Sequence, residues 1–193
     1  NFEQKILKEV VGSQDQTATT YGGFNRINFN KKKITVKKIK NKKNLEKLNK
    51  NLVLIYSKIQ RNASEVAKKY VNTLTKEKKE NINKLIRHVD IGEKILNNGE
   101  IDDFGKLLDE AWIYKKEIDR NISNKKIDDI YHEAKKCGAL GGKLLGAGGG
   151  GFLLFYMKSN QKKYFLKRNK NIVNVPFKFT NEGSKIIFEK DSI

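Results

Sequence analysis

The sequence predicts an α+β fold in which helices cover one face of a mostly antiparallel sheet. Three observations carry this. Short apolar runs of strand type stand at Leu52–Tyr56 and at residues 140–145, 152–157 and 173–179. Between the first two lies a long stretch with helical apolar periodicity. The second and third are joined by a glycine-rich turn, the connection of neighbouring antiparallel strands.

The elements follow in order along the chain. Phe2, Ile6, Leu7 and Val10 recur at helical spacing up to Gly12, so the opening reads as the end of an amphipathic helix. Asn25, Ile27 and Phe29 alternate with Phe24, Arg26 and Asn28, and Asn30-Lys31-Lys32 precedes Ile34 and Val36, which predicts a hairpin. Residues 37–50 are polar and charged and are expected to cross between domains. Leu52–Tyr56 reads as a buried strand. Helices are predicted over residues 61–72, 76–97, 101–121 and 125–137. Leu85, Val89 and Leu96 give the second an apolar face, as Phe104, Leu107, Leu108 and Ala111 do the third. Strands are expected at 140–145, 152–157, 173–179 and 185–189, with a helix at 161–168.

The 193 residues suffice for one compact domain plus part of another. No apolar run approaches the roughly eighteen residues of a membrane span, and nothing at the start resembles a signal peptide, so a cytoplasmic chain is expected. The single cysteine, Cys137, excludes an internal disulfide and reads as a small apolar residue at a helix end. A formal charge of +19 raises the question of nucleic acid. The excess is nearly all lysine, spread from Lys5 to Lys190 among acidic residues, with no arginine stripe or interleaved stacking aromatics. It reads as solvated helix faces, and neither a nucleic-acid nor a membrane partner is expected.

The chemistry concentrates in Gly146-Ala147-Gly148-Gly149-Gly150-Gly151, between Lys143-Leu144-Leu145 and Phe152-Leu153-Leu154-Phe155-Tyr156. Such a backbone is free to adopt positive φ and to turn several N–H groups toward one anion. Its formal G-x-G-x-x-G lacks the following helix of a dinucleotide site, and Phe152-Leu153 stand where a Walker loop needs Lys and Ser or Thr. The alternative is a tight hairpin without a ligand. Lys143 is a candidate phosphate contact, or else a solvated lysine at a strand end. Trp112 and Lys115, three apart on one helical face, either border an acceptor site or, for the tryptophan, fill the core. His88 and His132 are isolated and read as structural.

Residues 138–155 resemble the third signature of the GHMP small-molecule kinases, which transfer the γ-phosphoryl of ATP to a small acceptor. Leu107-Leu108-Asp109-Glu110-Ala111-Trp112, Ile122-Ser123-Asn124, Val175-Pro176-Phe177-Lys178-Phe179 and Glu182-Gly183-Ser184 are similar to the branch acting on D-glycero-D-manno-heptose 7-phosphate. Gly12-Ser13-Gln14-Asp15-Gln16, followed by Tyr21-Gly22-Gly23-Phe24-Asn25, is similar to the G-x-x-D-Q segment that carries an acidic residue beside the acceptor hydroxyl in the sugar kinases. A carboxylate there orients a poor nucleophile and accepts its proton. Asp15 is therefore the expected base; the competing reading is a helix N-cap.

The resemblance implies a ferredoxin-like C-terminal domain at 46–193, preceded at 1–45 by the tail of a ribosomal-S5-like N-terminal domain. It implies an ATP- and Mg²⁺-dependent kinase phosphorylating the anomeric hydroxyl of the heptose 7-phosphate, with galactokinase, another GHMP sugar kinase or a non-catalytic binding module as alternatives. Gly146, Ala147, Gly148, Gly149, Gly150, Gly151 and Lys143 are expected at the ATP phosphates, and Asp15, Tyr21, Gly22 and Arg61 at the acceptor. Arg61 with Ser64 follows Ser57-Lys58-Ile59, where the branch carries a Thr-Gly pair. The family's Pro-x-x-x-Gly-Leu-Gly/Ser-Ser-Ser phosphate loop is missing, since the one proline is Pro176. The chain is accordingly expected to be the C-terminal part of a longer enzyme, inactive by itself, with the Mg²⁺ ligands and the oligomeric state left open.

Overall fold

The computed structural model describes residues 12–30, 33–60 and 76–188. They fall into two units, one spanning Asn41–Phe177 and the other Gly12–Lys40 with the segment from Lys178 onward.

The larger unit begins with α1 (Lys42–Asn51), followed by β1 (Leu52–Tyr56). Then come α2 (Lys76–Asn98), α3 (Ile101–Ile118), a 3₁₀ turn (Arg120–Ile122) and α4 (Lys125–Lys136). The unit closes with β2 (Gly141–Leu144), β3 (Phe152–Tyr156), α5 (Ser159–Arg168) and β4 (Val173–Asn174). The sheet order is β2-β3-β1-β4, with every neighbouring pair antiparallel. This is the split β-α-β arrangement of ferredoxin-like folds, as expected.

Register sets which side chains meet the helices. Val53 pairs Phe155, which pairs Gly142; Ile55 pairs Leu153, which pairs Leu144. Because side chains alternate across a strand, these residues share one face. Against it pack Trp112, Ile127, Tyr131, Ala134 and Phe165 in one buried cluster. Asn124 caps α4, its Oδ1 accepting the Ile127 N–H at 3.2 Å. Asp102 and Asp103 open α3, and Lys115 and Lys116 close it, the order the helix dipole favours. A Cβ on Gly141 would lie 2.1 Å from the Gly105 carbonyl oxygen, so α3 lies directly against β2. That contact brings the last turn of α3 to the glycine turn.

The smaller unit holds helix α6 (Gln14–Tyr21) and hairpin strands β5 (Asn25–Phe29) and β6 (Ile34–Lys38), numbered after those of the larger unit. The hairpin pairs Ile27 with Val36, as the alternation predicts. Ser184 donates to the Thr20 carbonyl at 3.1 Å and Gly23 to the Thr180 carbonyl at 2.9 Å, tying residues 180–184 to the end of α6.

Three expectations are corrected. The polar stretch 37–50 is not a bare crossing: it contains α1, capped by Asn41, whose Oδ1 accepts the Asn44 N–H at 3.0 Å. Leu48 of that helix is completely buried. The strand expected over 173–179 pairs only at Val173 and Asn174. Val175 adds one bond to the Leu54 carbonyl at 2.8 Å, and Pro176 then has no N–H to continue the ladder. No strand forms over 185–188. The larger unit takes in α1 because that helix runs directly into β1. The predicted helices at 2–10 and 61–72 lie outside the described residues. Among the described residues no helix is long and apolar enough to cross a membrane.

Candidate functional site

The glycine turn leaves β2 and returns as β3, closed by Leu145 donating to the Phe152 carbonyl at 2.8 Å. Gly146, Gly148, Gly149 and Gly151 have φ of +70°, +115°, +76° and +91°. Two positions also need glycine for space. A Cβ on Gly148 would lie 2.9 Å from Ile122 Cα, and one on Gly150 would lie 2.6 Å from the Ile59 oxygen.

Neighbouring groups fix the turn. Gly149 donates to the Ile122 carbonyl at 2.9 Å and Gly151 to the Ile59 carbonyl at 3.0 Å, while the Gly151 carbonyl accepts from Ser57 at 2.9 Å. Asn124 Nδ2 donates to the Gly149 carbonyl at 3.0 Å. Lys115 Nζ donates to the Gly146 carbonyl at 2.5 Å and lies 3.4 Å from the Leu144 carbonyl. The N–H groups of Gly146, Ala147, Gly148 and Gly150 have no acceptor among the described residues. A cavity of about 460 Å³ is lined by Ile59, Gln60, Leu145 and the turn. A fixed backbone with free N–H groups beside a cavity is the constitution of an anion site.

The charges agree. Lys143 sits in β2, paired with Leu154, and burial pushes its ammonium below the ordinary lysine range. It is not the solvated strand-end lysine of the alternative reading. Burial, and then repulsion by Lys143, pushes Lys115 down to about 8. Two partly dehydrated ammonium groups that repel one another favour an anion nearby. Free amides and ammonium groups suit phosphate oxygens, whereas Mg²⁺ requires oxygen ligands. No carboxylate lines this cavity, and among the described residues no cluster of three or more His, Cys, Asp or Glu forms a metal site.

A second cavity, of about 560 Å³, belongs to the smaller unit. Ala18, Thr19, Gly22, Phe24, Lys178 and Phe179 are among its walls. The rings of Phe24 and Phe179 meet edge to face at 5.4 Å. Gly22 follows α6 at φ +57°, where a Cβ would lie 2.3 Å from the Glu182 backbone. Asp15 is not the N-cap of α6, which is Ser13; it stands exposed in the first turn. It lies four residues before Thr19 and so on the same helical face as that wall residue. Tyr21 is half exposed and does not line the cavity. Arg61 and Ser64 lie outside the described residues.

The remaining candidates are structural. Trp112 is fully buried in the core. His88 bonds the Lys84 carbonyl and Glu110, and Cys137 is buried at the end of α4. The sequence marks Lys115 only by its spacing from Trp112; in the structure it holds the glycine turn, 31 residues downstream. Asn124 was legible as part of a similar segment, but its bond to Gly149 was not.

The family model described as GHMP kinases C terminal matches residues 93–169. The chain is 32% identical over 189 residues to D-glycero-alpha-D-manno-heptose 7-phosphate kinase of Campylobacter jejuni subsp. jejuni serotype O:2, covering 95% of the chain and 56% of that relative. It is 36% identical over 77 residues to the bifunctional fucokinase/GDP-fucose pyrophosphorylase of Arabidopsis thaliana, covering 40% of the chain and 7% of that protein. Among solved structures, L. major mevalonate kinase in complex with R-mevalonate superposes with a TM-score of 0.67 at 23% identity, over 83% of this chain and 50% of that one. A D-glycero-D-manno-heptose 1-phosphate kinase from Bacteroides thetaiotaomicron gives 0.64 at 23% identity, over 97% and 54%. At these identities the structures speak for the fold alone. The chain spans about half the length of the heptose kinase relative and of both structures.

Proposed function

Because the chain carries a GHMP kinase C-terminal domain, we propose that it is the C-terminal part of an ATP-dependent sugar kinase acting on the anomeric hydroxyl of D-glycero-D-manno-heptose 7-phosphate. One observation carries the kinase reading: the β2–β3 turn offers four amides without an acceptor among the described residues, with two partly dehydrated lysines close by. The choice of sugar rests on the 32% identity to the heptose 7-phosphate kinase. The fucokinase similarity supports a sugar acceptor without selecting this one.

In this reading the turn and Lys143 bind phosphate oxygens of ATP, so that transfer is promoted by positioning and charge stabilisation. Asp15 orients the sugar hydroxyl and takes its proton, and the acceptor uses the cavity walled by Gly22 and Phe24. Mg²⁺, when bound, shields the phosphate charge; the residues at the turn do not supply its ligands. The protein works inside the cytoplasm on small molecules.

The experiment incubates the full-length protein with ATP, Mg²⁺ and either heptose 7-phosphate or galactose, with products identified by mass spectrometry. A heptose bisphosphate without galactose phosphate is the expected result. Galactose phosphate alone moves the protein to the galactokinases, and transfer to neither sinks the heptose reading in favour of another acceptor or a binding module.

A further inference from the structure

Each peptide unit of the glycine turn is planar and trans, so its C=O and N–H point in opposite directions. Holding one therefore aims the other. Lys115 holds the Gly146 carbonyl at 2.5 Å, which turns the Ala147 N–H away from Lys115. Asn124 holds the Gly149 carbonyl at 3.0 Å and in the same way fixes the Gly150 N–H. Both N–H groups lack an acceptor among the described residues, and both residues line the cavity at the turn. The peptide units ending in Gly149 and Gly151 are tethered instead through their N–H groups, to Ile122 and Ile59. The units between Leu145 and Gly146 and between Ala147 and Gly148 have no hydrogen-bond tether among the described residues.

We propose that Lys115 and Asn124 are positioning residues of the phosphate site, each gripping one carbonyl of the turn so that the next amide along the chain is presented to the anion. This rests on the reading of the turn as a phosphate site. A glycine-rich segment has large conformational entropy, and an anion that had to order it would lose that part of its binding energy. The two grips order the turn beforehand. Lys115 adds charge: it grips the carbonyl as an ammonium, and the same positive charge acts on the bound phosphate. It does so despite burial and repulsion from Lys143, the charged group that acts on it among the described residues. Asn124 has a second task, since its Oδ1 caps α4.

The test uses the full-length kinase. ATP binding is measured by calorimetry without acceptor, and KM for ATP, KM for the sugar and kcat are measured separately. Lys115→Met is expected to weaken ATP binding by about tenfold to a hundredfold, the worth of a charge-assisted hydrogen bond, while the sugar KM changes by less than about twofold. Lys115→Arg keeps charge and donors and recovers most of the loss. Wild-type ATP affinity falls more steeply as pH rises through about 8 than that of Lys115→Arg, because a guanidinium does not titrate there while Lys143 is common to both. Asn124→Asp keeps the helix cap, loses the amide donor, and weakens ATP with little change in Tm.

Wild-type ATP affinity in Lys115→Met overturns the proposal. So does an equal loss of ATP and sugar binding that Lys115→Arg fails to recover. If Lys115→Met does not fold, the comparison of pH profiles between wild type and Lys115→Arg decides the same point. A wild-type enzyme that binds no ATP at all overturns the phosphate reading itself, before any variant is made.

Discussion

The glycines of the turn are not equivalent, and replacing each by alanine ranks them. Gly146 has φ +70° with nothing within 4 Å of a Cβ. Alanine there bears only the left-handed backbone cost, about 1–2 kcal/mol, offset by about 0.4–1 kcal/mol from a less flexible unfolded chain. Gly148 combines φ +115° with a Cβ 2.9 Å from Ile122 Cα. Backbone strain adds about 1–3 kcal/mol, and relieving the clash moves the turn off the 3₁₀ segment, sacrificing the Gly149–Ile122 hydrogen bond for about 1 kcal/mol more. Gly150 has no left-handed backbone, but its Cβ would meet the Ile59 oxygen at 2.6 Å, so the Gly151–Ile59 bond is at risk. The expected order of damage is Gly148, Gly150, Gly146, with about 2–4 kcal/mol for the first. For a unit of this size that is about 4–16 °C in Tm, against a few degrees at most for Gly146→Ala. Thermal unfolding and ATP calorimetry on the three full-length variants read the two consequences together. If Gly146→Ala proves the most damaging, or Gly148→Ala binds ATP like wild type, the turn is not held against Ile122 as a fixed phosphate cradle.

Asp15→Asn is expected to lower kcat by about 10²–10⁴-fold, with ATP affinity and Tm nearly unchanged because the side chain is exposed; a drop below threefold in initial rate would remove Asp15 from the chemistry. Gly22→Ala forces a Cβ to within 2.3 Å of the Glu182 backbone at φ +57°, and is expected to raise the sugar KM by about tenfold or more while sparing ATP affinity. An effect confined to ATP would show that the cavity beside Gly22 does not take the acceptor. Lys115 also leaves a mark on stability: its value falls from 10.5 to about 8 on folding, so between those values the unfolded chain holds more protons than the folded one. Its contribution therefore rises with pH across that window, and Tm measured from pH 8 to 10.5 should climb more in wild type than in Lys115→Met. Equal slopes would contradict the burial of this ammonium.

Elements that declare themselves locally were legible. Leu52–Tyr56 and Phe152–Tyr156 are unbroken apolar runs, and α3 carries its apolar residues and end charges in sequence. Where the reading failed, a local pattern lost to composition or to a distant partner. In α1 the buried Leu48 and the partly buried Leu45 stand among lysines and asparagines, so two apolar positions in ten residues did not register as a face. The alternation Val173, Val175, Phe177, Phe179 is a sound strand pattern. Pro176 interrupts the ladder, and from Lys178 the chain belongs to the other unit.

The site divides along the same line. That a run of glycines next to a strand suits phosphate follows from backbone chemistry alone, but which of its amides remain free depends on what the others bond. Two are consumed by Ile122 and Ile59, carbonyls far away in sequence with no side-chain signature at all. Lys115 carried one local mark, its spacing from Trp112, and in a chain with a net charge of +19 that mark did not point to the turn. Its distinction is tertiary: burial beside another lysine disfavours its charge, and its ammonium reaches the Gly146 carbonyl of the turn. The turn it grips offers four amides with no acceptor among the described residues, that of Ala147 aimed by the grip itself, and an anion bound there would offset what the buried charge costs. The buried charge thus adds to the geometry of the free amides as an argument that the turn takes an anion.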